Sequence, residues 1–153
     1  MVTYDDATRI GDWYSQRWEI EIFFRVLKQG GRLEALRLAT YPRIENAVAV
    51  YLVIAWRLHL LTMLSRAHPL SPADRVFNRE EGETIYLMSN KKLPPPPPPP
   101  LRDITRQLAQ LGGFLGRKGD GEPGVQSLWI GYQRLLAFIQ ARQVIQQVAL
   151  NCV

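Results

Sequence analysis

Seven consecutive prolines, Pro94–Pro100, limit what this chain can fold into more than any other feature. Proline lacks a backbone N–H and fixes its φ angle, so such a run can neither continue a helix nor form a central strand. It favours an extended polyproline conformation that rises about 3.1 Å per residue. We therefore predict a spacer at 94–100 between one domain at 1–93 and another at 101–153. The same run also has the composition of a ligand for aromatic-lined grooves.

The segment near the N-terminus predicts a helix with one polar stripe on an otherwise apolar surface. Apolar residues from Trp13 to Leu27 occupy much of its circumference, so we expect this helix to be buried on several sides. The polar stripe would then face a groove or cleft. At about 100° per residue its members share an arc of about 80°, and they are Tyr14, Arg17, Glu21, Arg25 and Lys28.

The residues alone leave two interpretations of this stripe. In the first, Arg17, Glu21 and Arg25 form a ladder of ion pairs spaced four apart, each stabilising by about 0.2–0.5 kcal/mol. In the second, the cations and the Tyr14 hydroxyl bind phosphate oxygens, while Glu21 is a ligand for a divalent metal. The surplus of cations on so apolar a helix favours the second interpretation.

Four further helices are predicted, so the chain should be mostly α-helical. One begins near Tyr41 and continues to about Ala67, and a short one starts after the capping residue Asn78. Two more follow the prolines, at about 102–114 and 126–150, and form a small helical module.

The last helix repeats apolar residues at helical spacing, and two roles remain open for them. They either form a dimer interface or pack within the chain, against the helix at 102–114 or the one at 44–63. A module of roughly fifty residues has a small core and is more stable when it packs on a second copy or on the rest of the chain. The candidate interface residues are Leu128, Tyr132, Leu135 and Ile139.

Composition adds weaker constraints. The net charge of +5 fits a polyanionic partner without requiring one. A single cysteine, Cys152, excludes an internal disulfide framework and a zinc knuckle, and it favours a reducing cytoplasm. No signal peptide is visible. The most apolar stretch, 47–56, is interrupted by Arg57 and is shorter than the roughly 20 residues of a membrane span, so we expect a core helix and no membrane.

Two motifs resemble one family of proteins. The spacing of Tyr14, Arg17, Glu21 and Lys28 resembles the Tyr-Arg-Glu-Lys signature of bacterial cut-and-paste DDE transposases of the insertion-sequence-four, Tn-five-like family. The segment 111–124, with Leu128 and Trp129 after it, resembles the C-terminal dimerisation segment of the same family. The two motifs have the same order along the chain as in the family.

The resemblance implies a fold and a chemistry. The part before the prolines would be the C-terminal helical remnant of a ribonuclease-H-like catalytic domain, and the part after them a helical dimerisation module. Glu21 would be the last acid of the DDE triad and a ligand of Mg²⁺ or Mn²⁺, which such two-metal chemistry requires. Tyr14, Arg17 and Lys28, with Arg25 beside them, would hold phosphates of the transposon end. The implied partners are DNA, a second copy or a full-length transposase, in the bacterial cytoplasm near the nucleoid.

The triad's two aspartates have no counterpart before this helix. Asp5, Asp6 and Asp12 are poor substitutes because Thr3 followed by Asp6 is typical of a helix start. We therefore expect a truncated C-terminal segment of a transposase that is inactive alone. The alternatives are an inhibitor that acts through mixed dimers with a full-length transposase, and a decayed gene product without a role.

Overall fold

The computed structural model describes residues 3–30 and 37–151. These ranges contain no β-strand, which confirms the predicted mostly α-helical fold. A π-helical turn at Val26–Gly30 follows the first helix, and a 3-10 turn at Ala73–Arg75 precedes the third. The α-helices are α1 (Tyr4–Arg25), α2 (Tyr41–Ala67), α3 (Arg79–Asn90), α4 (Leu101–Leu111) and α5 (Val125–Asn151). Cys152 lies outside the described residues.

Two helices start at the residues that the sequence predicts. The Thr3 hydroxyl accepts the Asp6 N–H, and the Asp6 carboxylate accepts the Thr3 N–H in return. The Thr3 hydroxyl also donates to the Asp6 carboxylate at 2.8 Å, and this bond, with the smaller effect of the Thr3 N–H, lowers the pKa of Asp6. Asn78 and Glu81 form the same reciprocal capping box at α3, with N···O distances of 2.8 and 3.0 Å. The Asp6 carboxylate is therefore engaged in capping the N-terminus of α1.

The chain divides into two compact units, Met1–His59 and Leu60–Val153, which we call unit 1 and unit 2. In unit 1, His59 Nε2 lies 3.2 Å from Glu19 Oε2, and the His59 ring meets Phe23 edge to face. These contacts join α1 to α2. Among the described residues of this unit, the buried apolar side chains are Val26, Leu27, Ala55 and Leu58.

Most of α1 remains exposed, contrary to the expected burial on several sides. Trp13 is 61% exposed, and Trp18 and Phe24 are about as accessible. The physical reason is that α2 contacts α1 through the side that carries Glu19 and Phe23. The opposite side of α1, which carries these aromatic residues, keeps its solvent exposure among the described residues.

The core of unit 2 lies where α4 and α5 pack closely together. Leu108 of α4 and Leu135 of α5 are fully buried. Two glycines allow the close approach: a Cβ on Gly131 would overlap the Leu108 carbonyl, and one on Gly112 would overlap the Ser127 carbonyl. The helix backbones are thus in direct contact at this crossing.

The proline run lies inside unit 2. The Ala73 N–H donates to the Pro99 carbonyl at 3.1 Å, and the Leu101 N–H donates to the Ser71 carbonyl at 2.7 Å. Helix α3, before the run, packs on α4 and α5, after it. Proline carbonyls still accept hydrogen bonds, and this pairing with the 71–73 segment ties the end of the run to the unit.

Helix α2 is long and apolar enough to cross a membrane when only length and composition are considered. The two criteria are weak evidence because a core helix of a soluble protein meets them as well. Contrary to the expected core helix, however, α2 is mostly exposed in the described chain and buries Ala55, Leu58, Leu61 and Ser65. Length and composition therefore do not assign α2 to a membrane.

Candidate functional site

The polar stripe of α1 lies on the exposed side of the helix. Arg17 lies 3.3 Å from Glu21 Oε1, and its guanidinium lies over the Tyr14 ring at 5.4 Å from the centroid. Arg25 and Lys28 are also exposed. Lys28 belongs to the π-helical turn, so it does not follow the α-helical spacing assumed from the sequence. The structure thus joins Tyr14, Arg17 and Glu21 by direct contact and leaves the other two cations nearby on the same segment.

The Arg17–Glu21 pair is the first rung of the ion-pair ladder considered above. Both side chains are more than one third exposed, so this pair stabilises the helix by at most about 0.5 kcal/mol. A weak, exposed pair of this kind can be opened by a stronger ligand. The stripe therefore remains free to exchange its internal contact for an anion at Arg17 or a cation at Glu21.

A metal site needs more ligands than Glu21 supplies. Within residues 3–30 and 37–151, no three His, Cys, Asp or Glu side chains come close enough to hold a metal ion together. Asp6, one of the acids considered from the sequence, is held in the Thr3 cap. The described residues thus offer one carboxylate where two-metal catalysis needs several, and we derive no catalytic step from them.

The four residues predicted as a dimer interface are core residues of unit 2. Leu128 and Leu135 are at most 1% exposed, and Tyr132 and Ile139 are buried as well. They lie on the side of α5 that packs against α4, where Ile104 and Leu108 are buried. This is the intramolecular alternative from the sequence. Within the single chain these side chains present little surface to a second copy, and their assignment to a dimer interface stays a prediction.

A second apolar stripe runs along the other side of α5. Val144 is 58% exposed and Ile145 is 68% exposed, and Val148 is similarly accessible. With Ala137 and Ala141, the stripe advances in steps of four, three and four residues, which is the seam spacing of a coiled coil. At about 100° per residue it lies roughly opposite the buried stripe that contains Leu135.

Helix α5 is held to α3 by polar contacts beyond Ile139. Gln143 donates to Glu80 at 3.1 Å, and Arg142 lies 3.8 Å from Glu83. The hydrogen bond from Arg79 is the main cause that lowers the pKa of Glu83, and the charge of Arg142 adds to it. The side of α5 that faces the chain thus changes from apolar to polar, while the opposite stripe stays apolar and exposed.

Sequence reasoning did not separate this exposed stripe from the buried one, because it treated Ile145 and Val148 as part of one apolar surface with Leu135 and Ile139. The signal was present, since Ala137, Ala141, Val144 and Val148 repeat with the same spacing as the buried residues. One helix with two apolar stripes has one stripe more than a single packing partner can cover. Comparing the two stripes in the sequence would have separated the core residues from the candidate interface residues.

Two family models match this chain. One, described as the transposase Tn5 dimerisation domain, matches residues 53–149. The other, described as the transposase DDE domain, matches residues 3–57. The first match contains α3, α4 and α5, with the exposed stripe of α5, and the second contains α1 with its polar stripe.

Proposed function

Because this chain belongs to the Tn5 transposase dimerisation domain family, we propose that it serves DNA transposition by associating transposase subunits through unit 2. The observation that carries this proposal is the exposed apolar stripe of α5, formed by Ala137, Ala141, Val144, Ile145 and Val148. Its coiled-coil spacing suits a helix as partner, and the same stripe on a second copy offers a symmetric contact.

The core of unit 2 supports the same assignment. Leu128, Tyr132, Leu135 and Ile139 already have their partners inside the chain. The unit therefore keeps its own core when two copies meet. Association through the outer stripe would remove exposed Val144, Ile145 and Val148 from water. Burial of this kind stabilises a complex by about 25 cal/mol per Å² of apolar surface.

The experiment is light scattering over a concentration series of the full chain. We expect a dimer for the wild type and a monomer for the double variant Ile145→Glu/Val148→Glu. The matched control is Gln140→Glu/Gln147→Glu, which adds the same charge on exposed positions outside the stripe. It should remain dimeric, and circular dichroism should show the same helix content for all three proteins. A monomeric wild type at every concentration would refute the proposal.

Helix α1 adds a second part to the proposal. Tyr14, Arg17, Arg25 and Lys28 are proposed to bind DNA phosphates, and Glu21 to be one metal ligand of a complete DDE centre. Their exposure on one segment and the match to the DDE domain family support this. Divalent metal use is a property of that family's complete enzymes. DNA binding by this chain should be weak, independent of sequence and strongly dependent on salt.

A second candidate function is inhibition of transposition. This chain would associate through α5, but its described residues supply one acid of the triad. A mixed dimer with a full-length transposase would therefore lack one active subunit. Adding the purified chain to an active full-length transposase should lower strand transfer. The Ile145→Glu/Val148→Glu variant should not lower it, and equal inhibition by both proteins would exclude mixed dimers as the cause.

A further inference from the structure

A cavity of about 470 Å³ lies in unit 2, between the proline run and the first part of α3. Three of its lining side chains, Ala73, Phe77 and Ile104, are apolar and buried. Pockets that hold small molecules have volumes of about 300–1,000 Å³ and are mostly apolar. This cavity has the size and the lining of a ligand site, and the proposed function does not use it.

The proline run supplies much of the cavity wall. The prolines that line it are Pro94, Pro95, Pro96, Pro98 and Pro99. The ring of proline is apolar, and its backbone has a carbonyl acceptor but no N–H donor. The end of the run is held in place, because the Ala73 N–H donates to the Pro99 carbonyl at 3.1 Å. This wall therefore offers apolar surface and hydrogen-bond acceptors, so a polar ligand must bring the donors.

Gly82 contributes space to the cavity from the side of α3. It lies within that helix, where glycine is a poor helix former. No close helix crossing explains it, because a Cβ on Gly82 would meet no atom of the described chain within 4 Å, in contrast to one on Gly131. The missing side chain at a lining position leaves room that a longer residue would fill.

The charged side chains that line the cavity leave one negative charge without a partner. Arg79 Nε donates to Glu83 Oε1 at 2.7 Å, and Arg142 lies 3.8 Å from Glu83 Oε2. The charges of Arg79 and Glu83 therefore offset each other. Asp74 also lines the cavity and is exposed, and it makes no ion pair with any residue that the structure describes. The electrostatic preference of the cavity is therefore for a cation.

The N-terminus of α3 does not reverse this preference. The backbone N–H groups at a helix start favour anions. In α3, however, Glu80 and Glu81 lie in the first turn and place negative charge at the same end. The Asn78 side chain accepts the Glu81 N–H at 2.8 Å, so one of the orphan donors is already satisfied.

We infer that this cavity binds a small organic cation, with a ring-sized apolar body among Phe77, Ile104 and the prolines and an ammonium group at Asp74. An ammonium has three donors and no acceptor, so it suits a wall of carbonyl acceptors beside a free carboxylate. Its apolar body gains free energy by leaving water. The site shares no residue with the polar stripe of α1 or the exposed stripe of α5, so the inference goes beyond the proposed function and does not depend on it.

The experiment is a titration of the ¹⁵N-labelled full chain with 4-phenylbutylamine, followed by the NMR signals of the backbone amides. We expect a dissociation constant in about the millimolar range, as suits so small a ligand. The shifts should concentrate at Ala73, Phe77 and Gly82. The neutral analogue 4-phenylbutanol should bind more weakly, and the anion 4-phenylbutyrate more weakly still. Binding of the anion as tight as that of the amine would overturn the inference, and so would amine shifts that never saturate or that spread over all exposed acids.

One variant tests the place of the ammonium group. Asp74→Asn should weaken binding of the amine roughly two- to fivefold, as the loss of an exposed ion pair does, and should leave binding of the alcohol unchanged. The control is Glu45→Gln, which removes an exposed acid that does not line the cavity and should affect neither ligand. Equal affinity of the amine for Asp74→Asn and the wild type would overturn the inference that a cation is bound at Asp74.

A second variant tests the place of the apolar body. Gly82→Leu should fill the cavity and weaken the amine and the alcohol alike, at least about tenfold. Gly82→Ala is the matched control, because one added carbon occupies little of the space and should leave binding nearly unchanged. Unchanged binding by a Gly82→Leu protein with wild-type helix content would overturn the inference. If Gly82→Leu loses helix content, the comparison of amine, alcohol and anion on the wild type and Asp74→Asn decides the inference by itself.

Discussion

The Tyr132 hydroxyl donates a hydrogen bond to Glu81 Oε1 across 3.3 Å, and both side chains are buried. The other Glu81 oxygen accepts the Asn78 N–H at 3.0 Å. A single carboxylate thus caps the start of α3 and also joins α3 to α5. Both α3 and α5 of unit 2 therefore depend on the Glu81 carboxylate.

The variant Tyr132→Phe should destabilise the protein while keeping its shape. It removes the donor and leaves a buried carboxylate oxygen with one partner fewer, which costs about 1–3 kcal/mol. Urea unfolding followed by circular dichroism measures the change in the free energy of unfolding. The control is Tyr41→Phe, which removes a hydroxyl from an exposed side chain and should change little. Equal stability of the two variants would show that the Tyr132 hydroxyl contributes nothing.

Gly131 should not tolerate a methyl group. Alanine there would overlap the Leu108 carbonyl, so α4 and α5 would have to separate, at a cost of about 1–3 kcal/mol or more. Gly82 in α3 is the matched control because a Cβ there meets no atom within 4 Å. Gly82→Ala should stabilise the protein by up to about 1 kcal/mol through helix propensity. Chemical unfolding of both variants measures the two changes in stability. A Gly131→Ala protein as stable as Gly82→Ala would contradict the close crossing of α4 and α5.

The sequence was sufficient to place the starts of α1, α2 and α3 because each of these helices carries a local signal there. Thr3 with Asp6 and Asn78 with Glu81 form reciprocal caps, and these depend on residues within one helical turn. Pro42 in the first turn of α2 is a signal of the same local kind. Such signals need no knowledge of the rest of the chain.

Tertiary relations were harder to predict, since they depend on partners far away in the sequence. The hydrogen bonds of Ala73 to Pro99 and of Leu101 to Ser71 tie the end of the proline run to unit 2, and no local signal in the sequence identifies these partners. Leu135 was assigned to a dimer interface because periodicity identifies an apolar stripe without identifying its partner. The same limit applies to Trp13, whose exposure depends on what α2 covers.

The ion pairs of Glu83, with Arg79 within α3 and more weakly with Arg142 of α5, should weaken in acid. The hydrogen bond from Arg79 lowers the pKa of Glu83 below its ordinary value of 4.5, so folding favours the charged carboxylate. The stabilisation that this pKa shift gives is fully present when the pH is above the ordinary pKa of the carboxyl. It is lost as the pH falls through the lowered pKa of the folded state. Urea midpoints should therefore fall more steeply between about pH 5 and pH 3 for the wild type than for Glu83→Gln.

The control for this pH effect is Asp74→Asn, which neutralises an exposed acid in the same unit. It should retain the wild-type dependence on pH. Parallel curves for the wild type and Glu83→Gln over the whole range would contradict a stabilising role for the charged Glu83 carboxylate. The midpoint comparison at pH 7 shows whether Glu83→Gln has any additional effect that does not depend on proton binding.

This chain should not cleave DNA with Mg²⁺ or Mn²⁺. Two-metal strand cleavage needs several converging carboxylates, whereas the described residues gather no group of three metal-ligating side chains around Glu21. The measurement is nicking of supercoiled plasmid at a protein concentration at which anisotropy shows bound DNA. The wild type and Glu21→Gln should both leave the plasmid intact. Cleavage by the wild type that disappears in Glu21→Gln would contradict the prediction and would require further acids to join Glu21 when DNA binds.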